Sequence, residues 1–259
     1  MNTKLLFVGT RLFCATAMAA TLATAAPAFA ADTGSGSDWE YIADIYLWGT
    51  NQTLETTGGQ EVHLPFYQIL NDLNFAFLAE FGARNDKWSM MMDVVYLSIT
   101  QKNNLRDATL PDGTAVTVND KLDMKSWIVT PTVGYALHNA DDARIEVIGG
   151  LRYFWVDLAI AIDVNDTEVF NRSASEGFLD GIIGMRSSIN LSQTWYLPMY
   201  FDVGLGQSDS TWQASAGVGY HFSRFDAVLT YRYLKYNFDH DVASNLVVKG
   251  PQLGAVFTF

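Results

Sequence analysis

The chain holds a single cysteine, Cys14. No intrachain disulfide can form, so stability must come from backbone pairing and packing. Charge is sparse, at 17% of residues, and basic charge is the scarcer kind: 16 Lys and Arg stand against 28 Asp and Glu. No basic stripe is present to neutralise phosphate, which excludes nucleic acid as a partner. Histidine occurs only four times, which leaves little for metal binding or acid–base catalysis. Beyond residue 30 no uncharged apolar run reaches the roughly 18 residues of a membrane-crossing helix. Aromatics, by contrast, are plentiful at 14%.

The first thirty residues differ from the rest. Lys4 and Arg11 precede a mostly apolar stretch, Leu12 to Ala26, which Pro27 breaks; Ala28-Phe29-Ala30 follows, with small residues where a signal peptidase reads. The expected organisation is a cleaved signal peptide over 1–30 and one domain over 31–259. Arg11 and Phe13 occupy the positions where a lipoprotein signal needs Leu and a small residue, so lipidation of Cys14 is not expected. Cleavage removes Cys14, Lys4 and Arg11 and leaves 14 basic residues against 28 acidic ones, a net charge of −14.

The remainder alternates. Trp195, Leu197, Met199, Phe201, Val203 and Leu205 are apolar, and Tyr196, Pro198, Tyr200, Asp202 and Gly204 stand between them. Trp212 to Phe222 and Leu253 to Phe259 repeat the pattern, and seven further segments follow it less cleanly, with Trp88 to Ser98 the noisiest. Side chains of a strand point alternately to opposite faces. Here one face is apolar from end to end and the other carries carboxylates, arginines, glycines and hydroxyls. Segments of about ten residues match a tilted membrane strand. The expected fold is all-β: a transmembrane antiparallel up-and-down barrel of ten strands, with eight to twelve compatible.

Short connections (85–87, 138–143, 192–194, 223–225) alternate with longer ones (50–71, 101–121, 163–176, 239–247), and only 207–210 breaks the trend. Short periplasmic turns and long outer loops are the rule for outer-membrane barrels. Trp39, Trp88, Tyr135, Trp195, Phe222 and Phe259 then fall at one membrane interface as an aromatic girdle, with Trp48 and Trp212 as candidates for the other rim. Phe66, Ile69, Leu70 and Leu73 have helical spacing and predict a short helix, either on the surface or entering the barrel mouth.

The polar face places Glu40, Asp44, Glu80, Asp93, Asp180 and Asp202 in the lumen with Arg152, Arg186 and Arg232. Acids and bases in a narrow lumen pair, because an unpaired buried charge is costly. A salt-bridge network that fills the barrel is one reading, and a slender pore whose excess acid favours cations is the other. Of the histidines, His138 and His221 fall near the short turns, while His63 near Glu61 and His240 between Asp239 and Asp241 fall in outer loops. A rim hydrolase or divalent-metal site built on the outer pair is a third reading. No catalytic residue, metal or cofactor is assigned.

Asp180-Gly181-Ile182-Ile183-Gly184-Met185-Arg186, Thr211 to Tyr220, Tyr231-Arg232-Tyr233-Leu234, Gly149 to Tyr153 and Ile69 to Phe77 resemble the pattern of a group of proteobacterial outer-membrane barrels. More distantly the chain is similar to the small-barrel superfamily that contains OmpA-type, opacity-type and omptin proteins. The terminal Phe259, in step with Phe257 and Leu253, looks like the signal read by the barrel assembly machinery. The resemblance implies fold and location but carries over no catalytic residue. The partners it implies are outer-membrane lipid and lipopolysaccharide, and the assembly machinery with periplasmic chaperones during biogenesis. The expected role is structural or surface-exposed, around a narrow, charge-networked lumen; a small cation- or solute-permeable pore is the alternative.

Overall fold

A computed structural model describes residues 39–56, 61–109, 115–164, 167–238 and 243–259. The expected signal peptide with Cys14, and His240 with its two aspartates, lie outside the described residues. The described chain is built from twelve strands and one short helix: β1 (Glu40–Trp48), β2 (Asn51–Thr56), β3 (Glu61–Leu64), α1 (Phe66–Asn71), β4 (Leu73–Arg84), β5 (Trp88–Thr109), β6 (Ala115–Asn139), β7 (Ala143–Val164), β8 (Thr167–Asn190), β9 (Trp195–Gly206), β10 (Asp209–His221), β11 (Asp226–Asn237) and β12 (Ala243–Thr258).

Ten staves form the wall. From β4 to β12 each strand pairs antiparallel with the next, and β1 closes the ring by pairing with both β4 and β12. β2 continues β1 past a break at Gly49 and Thr50, because both run along β12: β1 against Gln252 to Thr258, β2 against Ala243 to Lys249. β3 folds back on β2. Closure leaves no sheet edge at membrane depth, which is how an all-β chain satisfies its backbone groups in lipid.

The faces are inverted relative to a soluble protein. Ile45, Leu47, Ile183, Leu205 and Leu253 are exposed on the outside, whereas Arg152, Asp180 and Asp202 are fully buried inside. Lipid replaces water as the outer solvent, so the apolar face turns outward. Trp88 and Tyr135 meet edge to face at 5.0 Å, and Trp195 and Tyr220 at 4.8 Å, around the end that carries the short turns. Phe259 is exposed there too and exchanges two backbone hydrogen bonds with Tyr41. At the other rim Trp212 stacks on Tyr233 at 4.6 Å, joined by Tyr96 against Trp127 at 4.4 Å. Trp48, expected at that rim, instead points into the lumen and is 7% exposed. It shares the inward face of β1 with Asp44 and Tyr46, and a strand's alternation admits no exception there.

Two of the expected long loops are strand. β5 and β6 stay paired out to Thr109 and Ala115, and β7 and β8 out to Val164 and Thr167. These four staves have 22 to 25 residues, where a membrane needs about ten. Each runs on as a paired hairpin because pairing satisfies backbone groups that a loop would leave to water. β9 and β10, with 12 and 13 residues, stop near the membrane surface, so the wall is tall on one side and low on the other. The segment 50–71 is likewise ordered, as β2, β3 and α1. In α1 only Ile69 is buried, and Phe66, Tyr67 and Leu70 are exposed, so the helix does not fill the barrel.

Candidate functional site

The lumen has two storeys. The lower one, at the short-turn end, is polar. Asp44 on β1 stands opposite Glu80 on β4, Glu80 opposite Asp93 on β5, and Asp93 opposite Thr130 on β6. Three carboxylates and a hydroxyl therefore lie side by side in one row across four staves. Like charges on adjacent staves repel, and arginines from the far wall answer two of them. Arg186 donates from Nη2 to Glu80 at 3.0 Å and lies 3.9 Å from Glu146. Arg232 donates to Asp93 at 2.6 Å, to Gln213 at 2.8 Å and to the Tyr46 hydroxyl at 3.2 Å, and its guanidinium sits 4.5 Å from the centre of the Trp48 ring. Tyr46 in turn donates to Asp93. Nearer the mouth, Arg84 pairs with Glu40 at 2.5 Å, and Arg144 donates to Glu146 at 2.7 Å.

Higher up, Arg152 and Asp202 form a bidentate pair in which neither side chain has any solvent contact; one arm measures 2.9 Å. Arg152 also donates to Thr211 at 3.2 Å. Among the described residues Asp180 enters no ion pair. Its two oxygens accept from the Ser208 amide at 3.0 Å and the Ser208 hydroxyl at 2.6 Å, so it clamps the tight β9–β10 turn onto β8. Gln207 reinforces the clamp by exchanging hydrogen bonds with the backbone of Leu179.

The upper storey is apolar. Tyr46, Trp48, Val95, Ile128, Phe154, Phe178, Leu234, Tyr236 and Val248 form one buried cluster. Phe154 lies 5.0 Å from Tyr236 and 6.1 Å from Phe178, and Phe238 closes on Phe178 at 4.8 Å. These side chains come from facing staves and meet across the bore, so the plug is made of wall residues alone. Below it remains a cavity of about 630 Å³, open between turn residues such as Asn85, Asp86, Asn139 and Asn190. This cavity forms a vestibule beneath the apolar cluster.

The nine charged residues read from the sequence fall into four sets: the Asp44–Glu80–Asp93 row with Arg186 and Arg232, the Arg152–Asp202 pair, the Asp180 clamp, and Glu40 at the mouth. Sequence reasoning missed Arg84, Arg144 and Glu146, and the whole plug. Parity carried the signal for most of these: Glu146 shares its face with Arg152, and Phe154 follows two residues later. Among the described histidines, His63 is hydrogen-bonded to Thr53 at 3.0 Å, His138 to Asp142 at 3.0 Å and His221 to Asp226 at 2.9 Å. Among the described residues no three carboxylate, imidazole or thiol groups converge to hold a metal ion.

No protein-family model matches the sequence, and no curated protein does. Solved structures with a similar barrel include the translocator domain of the autotransporter NalP from Neisseria meningitidis, with 15% identity over 88% of this chain and 90% of that one and a TM-score of 0.47. The attachment invasion locus protein Ail of Yersinia pestis is 12% identical over 85% of this chain and 98% of that one, at a TM-score of 0.35. The NanC porin is 11% identical over 82% and 99%, at 0.34. The barrel itself is defined by strand register and closure.

Proposed function

We propose that this protein is an integral barrel of a bacterial outer membrane, with its short turns in the periplasm, and that it serves as a closed scaffold for surface-exposed β-structure. The observation that carries the reading is the plug. Packed aromatic and aliphatic side chains fill the outer half of the bore, while the β5–β8 wall continues about a dozen residues past the thickness a membrane requires. Lipid and lipopolysaccharide are the partners that fit the apolar belt and its aromatic rims. Leu253, Phe257 and Phe259, in step on the outward face of the closing strand, fit the signal for the assembly machinery. No hydrolase role is proposed, since the described histidines are engaged locally.

A second reading as a cation-selective pore is favoured by the surplus of carboxylates in the vestibule, and it requires the plug to move. Surface display is tested by antibody labelling. An epitope inserted between Thr109 and Ala115 is expected to be bound on intact cells, and one inserted between Asp86 and Lys87 only after permeabilisation. The opposite pattern would reverse the orientation and remove the reading.

A further inference from the structure

Two side-chain oxygens of the vestibule lining have no hydrogen-bond partner among the described residues, and neither do two nitrogens, Arg144 Nη2 and Arg232 Nε. Asp44 is partly buried, and its Oδ1 accepts no hydrogen bond from the described residues; the Thr130 hydroxyl, on a residue only 4% exposed, has no partner among them either. Both line the cavity, and they stand at the two ends of the row whose middle is Glu80 and Asp93. A buried acceptor without a donor is costly, and a buried anion more so. The row therefore calls for something that supplies donors and positive charge.

We propose that the vestibule is a binding site for a small organic cation carrying a primary ammonium group, with Asp44 as its counter-ion. An ammonium offers three donors and no acceptor, which complements a row made of carboxylate and hydroxyl oxygens. Tyr46, Tyr196 and Tyr200 line the same cavity. The volume, about 630 Å³, lies in the range of small-molecule sites. An anion fits poorly, because each arginine of the lining (Arg84, Arg144, Arg186, Arg232) is already engaged by a carboxylate. A bare metal ion also fits poorly, since the carboxylates spread along the wall instead of converging. The ligand enters from the short-turn end, since the apolar cluster that holds Trp48 packs above the cavity.

The test is calorimetric titration of the folded barrel in nonionic detergent with 1,4-diaminobutane at fixed ionic strength. Saturable binding at one site is expected, weakened about tenfold or more by Asp44→Asn and by a smaller factor by Thr130→Val. Asp141→Asn, which removes an exposed turn carboxylate and the same unit of charge, should leave it unchanged. If Asp44→Asn does not fold, Gly254→Ala serves instead, since its Cβ would fall 2.7 Å from Asp44 Oδ1 and crowd the carboxylate without removing it. Absence of saturable binding to the wild type would overturn the proposal. So would equal weakening by Asp44→Asn and Asp141→Asn, or undiminished binding to the Gly254→Ala protein.

Discussion

Arg152 and Asp202 show how the interior bears its charges. Each is without solvent contact, and each is satisfied mainly by the other. Removing one leaves the other as an uncompensated buried charge, which typically costs about 3–5 kcal/mol. Arg152→Ala should therefore lower the midpoint of urea unfolding markedly, while an apolar double replacement, Arg152→Met with Asp202→Leu, should recover much of the loss. Equal midpoints for wild type and Arg152→Ala would contradict the pairing. Outside the membrane the same chemistry is weak but readable. Asp142, in the turn before β7, accepts from His138 Nε2 at 3.0 Å, and that hydrogen bond holds its carboxyl below the usual carboxylate range. Because the folded value is the lower one, the contact contributes above the ordinary carboxylate range and is lost as pH falls through the lowered value. In an NMR titration the Asp142 carboxyl should move back up toward the ordinary value in His138→Ala; an unchanged titration would dissociate the shift from that contact.

Elements divide into those lipid constrains and those it does not. Within the membrane, period two is enforced on both faces, so the faces of the staves could be read from the sequence: Ile45 and Leu47 out, Asp44 in. Above the membrane that constraint ends, and 101–121 and 163–176 read as loops although both are largely paired hairpin. If these hairpins are extensions and not part of the membrane core, trimming residues 103–120 and 160–172 should leave a barrel that still resists unfolding in cold SDS. Loss of that resistance would assign them a part in the fold's stability. The opposite sensitivity is expected at Gly150. A Cβ there would fall 2.2 Å from the Pro131 carbonyl on the neighbouring stave, where proline already lacks the amide for one ladder hydrogen bond. Gly150→Ala must push β6 and β7 apart at membrane depth, and slowed or incomplete refolding into lipid vesicles, followed by gel mobility, is the expected result. Refolding at the wild-type rate would show that the staves can absorb the methyl group.

At the scale of the whole molecule the described barrel carries a polar cavity at its short-turn end and an apolar cluster above it. Closure and strand number were legible because alternation and turn spacing point the same way. Partnerships across the bore were not. Arg232 reaches Asp93, 139 positions away, and Tyr46, 186 positions away, and such pairings follow from the stagger of the closed ring, which no local pattern records. The plug was missed for a related reason: Phe154, Phe178 and Tyr236 belong to three different staves and meet only after the ring closes. Conductance of the refolded protein in a planar bilayer tests the sealed lumen most directly. The wild type is expected to show no discrete openings above leak, and a variant with Phe154, Phe178 and Tyr236 all changed to Ala is expected to open with cation selectivity. Discrete wild-type openings that the triple variant leaves unchanged would contradict the account.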